Sequence, residues 1–423
     1  MKTAIVMSTI LVATLAACQT AVAQSEAAVP FLLFSPSSEA NGMAGTSIAL
    51  PRFDPTASVF SPAQVGISAL TTNVRGSFYP TDSQFPVASR IPDLSYTAWA
   101  ASAGVLLNDF MELPLRIGVG LAYHHVDDDL GTFVVTTPGN PAGIGTFDAH
   151  EVADGVVIGV GLEYLVRFGF GYTFRSVESQ LSAVGSEQGQ GNGEASGTTG
   201  DYSFLLEVPL VSIAEEIAGD RMLTGGKFRP FLDLGGGIGW NNVGDKLVYI
   251  DEAQADPFPR TARTGIALSG GVSMGRNTDW EILSAAWSRE AEDILVIRNE
   301  TGQWEYQSGF GDIQFGNNVI QGEKTANVSL RSGWQVQVGE IFTYRSGSVR
   351  TYIDYETAGY TIQLAGILKG ITELLESTPP AWLGFARDHV DIQYHSARYE
   401  QQSSGKELTS YSGITVSLHT WPL

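Results

Sequence analysis

Two adjacent histidines, His124-His125, run into three aspartates, Asp127-Asp128-Asp129, and residues of these types at this spacing could hold a metal ion. Successive side chains on an extended chain point to opposite faces, however, so His124 and His125 would not converge on one ion. The plainer reading is a strand end that enters a solvated acidic loop. Gly235-Gly236-Gly237-Ile238-Gly239 has the glycine density of a phosphate-binding loop, but no Lys-Ser/Thr pair follows it and the run sits in a strand pattern. Gly159-Val160-Gly161 fails for the same reason, and no H-E-x-x-H zinc motif occurs. Cys18 is the single cysteine, which leaves no disulfide within the chain and no thiolate metal site. These residues point away from an enzyme, and neither a cofactor nor a metal is expected.

The elements that carry the ionisable residues explain them better. Leu115, Ile117, Val119, Leu121 and Tyr123 form one face of an alternating segment whose other face is Arg116, Gly118, Gly120, Ala122 and His124. Val156, Ile158, Val160, Leu162 and Tyr164 repeat it against Gly159, Gly161 and Glu163, and Phe168 to Phe174 against Gly169, Gly171, Thr173 and Arg175. Leu232, Leu234, Ile238 and Trp240 likewise oppose Asp233 and three glycines. A soluble sandwich also alternates, but here the second face mixes small and ionisable residues, which suits a lumen. Tyr123, Tyr164 and Trp240 also fall at strand ends, where an aromatic girdle would lie. On this reading Arg116, His124, Glu163, Arg175 and Asp233 face a lumen, chiefly as a salt-bridge lattice, because buried charges need partners.

Such segments number about fourteen, near 67–79, 92–106, 113–127, 152–164, 166–181, 200–210, 228–244, 262–275, 279–291, 326–338, 339–346, 357–368, 387–399 and 408–421. The fold class expected is therefore all-β: a transmembrane antiparallel barrel, closed because an open edge would leave backbone groups unpaired in hydrocarbon. Long connections (80–91, 128–151, 182–199, 245–261, 292–325, 347–356, 400–407) alternate with tight ones at Leu165 and Arg276-Asn277-Thr278. Short amphipathic helices are expected at Ile213–Ile217 and Ile367–Glu376 on the periplasmic side, the second ended by Pro379-Pro380. Gly185 to Gly200 reads as a mobile loop.

Composition agrees. Of 423 residues, 48 are glycine and only 16% are charged, with 24 Lys+Arg against 45 Asp+Glu and a net charge of −21. That acidity argues against nucleic acid. Met1-Lys2, the apolar run Thr3 to Ala17 and Ala21-Val22-Ala23 have the form of a secretory signal, 1–23, cut after Ala23. Leu15-Ala16-Ala17-Cys18 alternatively fits a lipobox, in which Cys18 is acylated. Beyond this segment no apolar run approaches the ~18 residues of a membrane helix.

The stretch Phe31 to Ile67 (FLLFSPSSEANGMAGTSIALPRFDPTASVFSPAQVGI) resembles the N-terminus of PorV/PorQ-type outer-membrane proteins, relatives of the FadL long-chain fatty-acid transporter. Gly42-Met43-Ala44-Gly45 stands for their Met-Gly-Gly block and Ser61-Pro62-Ala63-Gln64 for Asn-Pro-Ala-Gly, with Asp54 in the link between. Ala44, Ser61 and Gln64 depart from the pattern. The resemblance implies that 24–66 is a plug inside a barrel of 67–423, with Phe31, Phe34, Gly42, Met43, Gly45, Asp54 and Pro62 as plug or ligand-pocket candidates. It leads first to a secretion-associated role, with type IX translocon components or secreted cargo as partners. The alternatives are a FadL-like channel for hydrophobic small molecules and a structural envelope barrel. Outer-membrane lipid and lipopolysaccharide are expected partners on every reading. For a secretion role, Trp304, Tyr306, Phe310 and Phe315 in the longest loop would offer partner-binding surface, since aromatics are enriched at interfaces; alternatively they fold over the barrel mouth.

The export reading is testable by mass. The mature protein is expected to begin at Gln24 and to contain no thiol, and recovery of a diacylated Cys18 would overturn this.

Overall fold

Alternation of bulky apolar and small residues builds the wall. A computed structural model describes residues 27–52, 54–79, 95–137, 140–181, 193–219, 227–249, 255–274, 280–299, 302–374, 380–402 and 406–419, so the expected signal, 1–23, lies outside the described residues. Fourteen antiparallel strands close into one barrel. They are β1 Asn73–Phe78, β2 Ser95–Leu106, β3 Arg116–Thr137, β4 Asn140–Glu163, β5 Arg167–Gln180, β6 Glu194–Pro209 and β7 Phe228–Gly244. The ring continues with β8 Thr261–Met274, β9 Trp280–Ile294, β10 Val328–Val338, β11 Phe342–Arg350, β12 Tyr355–Gln363, β13 Val390–Gln401 and β14 Lys406–His419. β1 pairs with both β2 and β14, Val74 lying between Ala103 and Leu418, so the ring has no free edge.

The outward face is apolar and exposed. Leu121, Ile158 and Tyr172 stand side by side on β3, β4 and β5, Leu234 pairs with Leu268, and Trp334 packs 5.6 Å from Tyr344 between ring centroids. A band of this kind is what lipid chains cover in a transmembrane barrel. Among the described residues no helix is long and apolar enough to cross a membrane; the strands do the crossing. One end has tight turns, Tyr164–Val166 and Gly339–Ile341, and the other has the long connections, which marks it as the outer end. Tyr164 is exposed at the inner turn, whereas Trp240 is half-buried at the outer end, where it stacks on Tyr202.

Several boundaries differ from the sequence expectation. Ile67 and Ser68 belong not to a strand but to a helix, Ala63–Ser68 (α2), in which Ala63 and Ile67 pack with Leu70 against Leu205. It follows a single-turn helix, Ser38–Asn41 (α1). Residues 128–151, expected as an open loop, are mostly strand, because β3 and β4 stay paired as far as Thr137 and Asn140. Leu130 fits into a bulge between Asp129 and Gly131, with Gly131 at φ 88° donating its N–H to Asp129 Oδ1 (2.9 Å). Above it Thr132 donates to Asp148 (2.6 Å) and Phe133 stacks on Phe147. The acidic run and glycine that read as loop mark a bulge in a ladder that continues. β6 begins at Glu194 and β11 runs to Arg350, which shortens the loops expected at 182–199 and 347–356.

At the inner end the chain forms helices Leu210–Ala218 (α3) and Leu364–Leu374 (α4). A further helix, Ala381–His389 (α5), went unread: Pro380, taken as a helix end, is its N-cap. Residues 387–389 are therefore helical and β13 starts at Val390.

Candidate functional site

The lumen is filled by the chain before β1. Its fold is set by small polar caps. Ser37 Oγ accepts the Ala40 N–H (3.1 Å) at the start of α1 and donates to Asp54 (2.6 Å). Asp54 in turn accepts the Thr56 N–H (3.0 Å) at the start of a 3-10 turn, Pro55–Val59, so one carboxylate ties two turns together. Gln64 does the same for the middle of the segment, donating to Ser47 O (2.7 Å) and Leu50 O (2.9 Å) and accepting from Arg52 N (2.9 Å). Ala44 and Gly45 both have positive φ (63° and 75°), where the resembled pattern has two glycines.

This plug lies directly on the wall. Gly159 pairs with Gly120 on one side and Gly171 on the other, making a patch without side chains across β3, β4 and β5. A Cβ on Gly161 would overlap the Gly66 carbonyl, and one on Gly171 the Pro62 carbonyl. On β7 a Cβ at Gly237 would overlap the Ile48 carbonyl, and Met43 covers Gly333 of β10, 2.7 Å from where its Cβ would be.

Side chains of the wall satisfy the plug's main chain. Glu290 accepts the N–H groups of Ser47 (2.7 Å) and Ile48 (2.8 Å), and Arg331 donates to Ala44 O (3.1 Å). Thr357 accepts from Ala44 N (3.0 Å) and donates to Gly42 O (3.2 Å). Ser203 accepts from Ala63 N (2.8 Å), Asn241 donates to Phe60 O (3.1 Å) and Arg175 to Val59 O (2.9 Å). Ion pairs hold these groups: Arg175 with Asp201 (2.6 Å), and Glu292 with both Arg263 and Arg331 (2.8 Å each). On the plug, Glu39 bridges Arg52 (3.1 Å) and Arg345 of the wall (3.3 Å). Burial pushes the Glu39 carboxyl up, but Arg345 and Arg52 outweigh it and, with His395, hold it below the usual carboxylate range.

The outer part of the lumen differs in kind. Tyr96 and Ala98 of β2, Val126 of β3, Ala153 of β4, Val177 of β5 and Ala195 of β6 form an apolar chamber roofed by Leu247 and Phe258. Val29, Phe31 and Leu32 fill it, with Phe34 at its margin. Ala28 N donates to Pro257 O (2.9 Å) and Tyr96 OH to Phe34 O (3.3 Å), which tie this segment to its surroundings.

The structure thus places Phe31 and Phe34 in the apolar chamber, and Gly42, Met43, Gly45, Asp54 and Pro62 in the plug's turns against the wall. Gly45 lies 3.1 Å, at its Cβ position, from Arg331 Nη1. Arg116 and Glu163 pair (2.6 Å) at the inner rim, where Arg116 also donates to Leu70 O (2.7 Å) and Glu163 meets Arg167 (3.0 Å). Asp233 is half-buried near the Arg167–Glu207 pair. His124 is buried over Gly155 on the lumen side, whereas His125 faces outward and pairs with Asp154 (2.8 Å) beside Trp99. Among the described residues no group of three or more His, Cys, Asp or Glu is placed to hold a metal.

Of the outer-loop aromatics, Phe310 packs on Trp240 of β7 (4.6 Å), Tyr306 under Arg260 just before β8 (3.7 Å), and Trp304 under Arg298 within the loop's own hairpin (4.3 Å); Phe315 is exposed. The string Gly271-Val272-Ser273-Met274-Gly275 has the spacing of a hydrolase nucleophile turn, but Ser273 lies within β8, paired to Arg229 and Glu281, and not at a strand-to-helix turn.

Sequence reasoning missed the densest part of the network: Glu39, Arg52, Arg263, Glu290, Glu292, Arg331 and Arg345. A signal was present on β9, where Ser288, Glu290 and Glu292 alternate with Arg289 and Ala291 and so share one face.

No family model matches the chain, and no curated protein matches it. Among solved structures it is similar to a deletion mutant of the monoaromatic hydrocarbon channel TodX, at 14% identity over 90% of this chain and 98% of that one, with a TM-score of 0.41. The CymD monoaromatic hydrocarbon channel gives 11% identity over 91% and 96%, with a TM-score of 0.34. A FadL homologue of Pseudomonas aeruginosa gives 10% over 90% and 97%, with a TM-score of 0.36.

Two outcomes follow from the plug's anchoring. Glu290→Ala leaves the Ser47 and Ile48 amides without their buried acceptor, at about 1–3 kcal/mol. Hydrogen exchange at residues 44–50 should accelerate while the strands stay protected; unchanged exchange refutes the latch. Because Glu39 is depressed, its contribution is full above the ordinary carboxylate pKa and is lost as pH falls through the lower folded value. Proteolysis of the plug should therefore rise in acid, and Glu39→Gln should bring that susceptibility to neutral pH.

Proposed function

We propose that the chain is an outer-membrane channel for hydrophobic small molecules, in which the segment 28–34 is the removable occupant of an apolar chamber at the outer end. One observation carries this reading: around residues 39–64 the segment is held by hydrogen bonds and charge, whereas residues 28–34 pack into an apolar cluster, with buried Asp128 and Glu151 on the wall beside it. Small-molecule sites are concave and largely apolar, and this chamber has that composition. An apolar solute entering it would exchange its own burial, about 25 cal/mol per Å², for that of Phe31, Leu32 and Val29. The exchange is of like for like. The fixed plug below then stands as the second barrier, which opens only if the contacts on the glycine patch give way.

The secretion role implied by the resemblance draws less support. It needs aromatic surface on the longest loop, and Phe310 is covered by Trp240, Tyr306 by Arg260 and Trp304 by Arg298 of the same loop. Ile297, Phe315 and Ile320 are among the apolar side chains still presented there.

Uptake separates the two. Phe31→Ala with Leu32→Ala thins the stopper and is expected to raise uptake of a labelled long-chain fatty acid several-fold in cells that need the barrel for it. Val126→Asp, which puts a charge into the chamber wall, should abolish that uptake while the barrel still shows heat-modifiable migration. If wild-type cells take up no more than barrel-less cells, the channel reading fails. Loss of cargo at the cell surface on deletion of 300–320, with uptake absent throughout, would favour secretion.

A further inference from the structure

The apolar chamber is bracketed by polar rows, and strand register shows where each lies. On β3, His124, Val126 and Asp128 face the lumen in succession. At the middle level Val126 pairs with Ala153 of β4 and Ala153 with Val177 of β5, all in the cluster that holds Phe31 and Leu32. One step outward, Asp128 pairs with Glu151 and Glu151 with Ser179. One step inward, His124 pairs with Gly155 and Gly155 with Arg175.

The outer row is acidic and enclosed. Asp128 is 6% exposed and Glu151 3%. Glu151 accepts from Ser179 (2.9 Å), which accepts in turn from the half-buried Tyr249 (2.9 Å). Asp128 makes no hydrogen bond or ion pair among the described residues, and the charges acting on it there are those of Glu151, Asp127 and Asp129, all of its own sign. Its own charge bears on the Tyr96 hydroxyl, which reaches Phe34 O (3.3 Å), so the carboxyl stands beside the segment that fills the chamber. The inner row has another character. Arg175 pairs with Asp201 (2.6 Å), and its positive charge also bears on His124. The His124 ring is 1% exposed, with neither nitrogen hydrogen-bonded among the described residues. Polar groups buried in this way cost free energy that a ligand's own polar groups can recover.

We propose that the chamber takes hydrophobic amines, the apolar body lying along Val126, Ala153 and Val177 and the ammonium between Asp128 and Glu151 at the outer end. The assignment rests on the channel reading above and narrows it to a substrate class. An ammonium brings three donors and the charge opposite to that of the row, whereas the carboxylate of a fatty acid would be repelled there. A metal ion fits less well. Among the described residues no group of three or more His, Cys, Asp or Glu is placed to hold one, and the surface next to the pair is carbon. Arg175, whose charge bears on His124, disfavours a cation at the inner end, so the ammonium stays outermost. The amine therefore enters tail first, and its tail takes the place of Phe31 and Leu32.

Binding of tritiated octylamine, octanoate and octanol at neutral pH tests this, with the protein in phosphatidylcholine nanodiscs and empty nanodiscs subtracted. Octylamine should bind about tenfold more tightly than octanoate, the scale of one hydrogen bond to a charged group. Hydrogen exchange at residues 28–34 should quicken as it binds. Asp128→Asn with Glu151→Gln should remove the preference for the amine while octanol binding holds, and heat-modifiable migration identifies folded variants. The three-probe comparison on the wild-type protein needs no variant. Equal binding of the three probes to wild type, or an amine preference that survives the double substitution, overturns the amine assignment and leaves the channel reading standing. Amine binding that leaves exchange at 28–34 unchanged overturns it too, since the site would then lie elsewhere. If none of the three binds, the assignment and the channel reading fall together.

Discussion

The carbonyl of Ile48 occupies the space that a side chain on Gly237 would need, and the carbonyls of Gly66 and Pro62 do the same at Gly161 and Gly171. Main chain lies on main chain, and the rest of the lumen follows from that approach. At such separations little room is left for bridging water, so the plug's amides and carbonyls need partners from the wall itself. Glu290, Ser203, Thr357 and Arg331 supply them. Carboxylates and guanidinium groups in that position are buried and need counter-charges, which Arg263 and Glu292 provide. Glycine on the strands thus leads to close approach, close approach to side-chain acceptors, and buried acceptors to ion pairs.

The lumen is divided accordingly. Around Glu39, Arg52 and Arg345 the plug is held by directional bonds, each of which is costly to leave unmade. Around Phe31 and Leu32 it is held mainly by removal of carbon from water, which has no preferred direction. A directionally bonded segment and an apolar one thus follow each other in immediate succession, joined through Ser35–Ser37.

The barrel itself was legible because its period is two and its two solvents differ. Leu121 against Gly120, or Phe170 against Gly171, declares which face meets lipid and which meets the plug. The glycines were read as small lumen residues, and the reason for their size became visible only with the plug in place. The β3–β4 hairpin was misjudged because Asp127 to Gly131 has the composition of a loop, whereas its ladder survives through one bulge. The last residues of helix α2, Ile67 and Ser68, were taken into the first strand, although Ala63, Ile67 and Leu70 recur at the i, i+4, i+7 spacing of one helix face. The latch residues escaped for a different reason. Glu290 and Arg331 lie opposite each other only once β9 and β10 are in register, and 33 intervening loop residues (295–327) conceal that pairing.

Backbone-to-backbone contact also shapes how such a protein can change through descent. On the outer belt, Leu121 or Ile158 can drift among aliphatic residues independently, since lipid conforms to any of them. Gly161, Gly171 and Gly237 have no such liberty, because every larger residue evicts part of the plug, and no substitution at Gly66, Pro62 or Ile48 can withdraw a carbonyl that all amino acids possess. The plug-facing wall is therefore frozen by chemistry common to every residue type. Inherited variation in this barrel should collect in the lipid face, the loop tips and the apolar segment 28–34, where packing sets no direction.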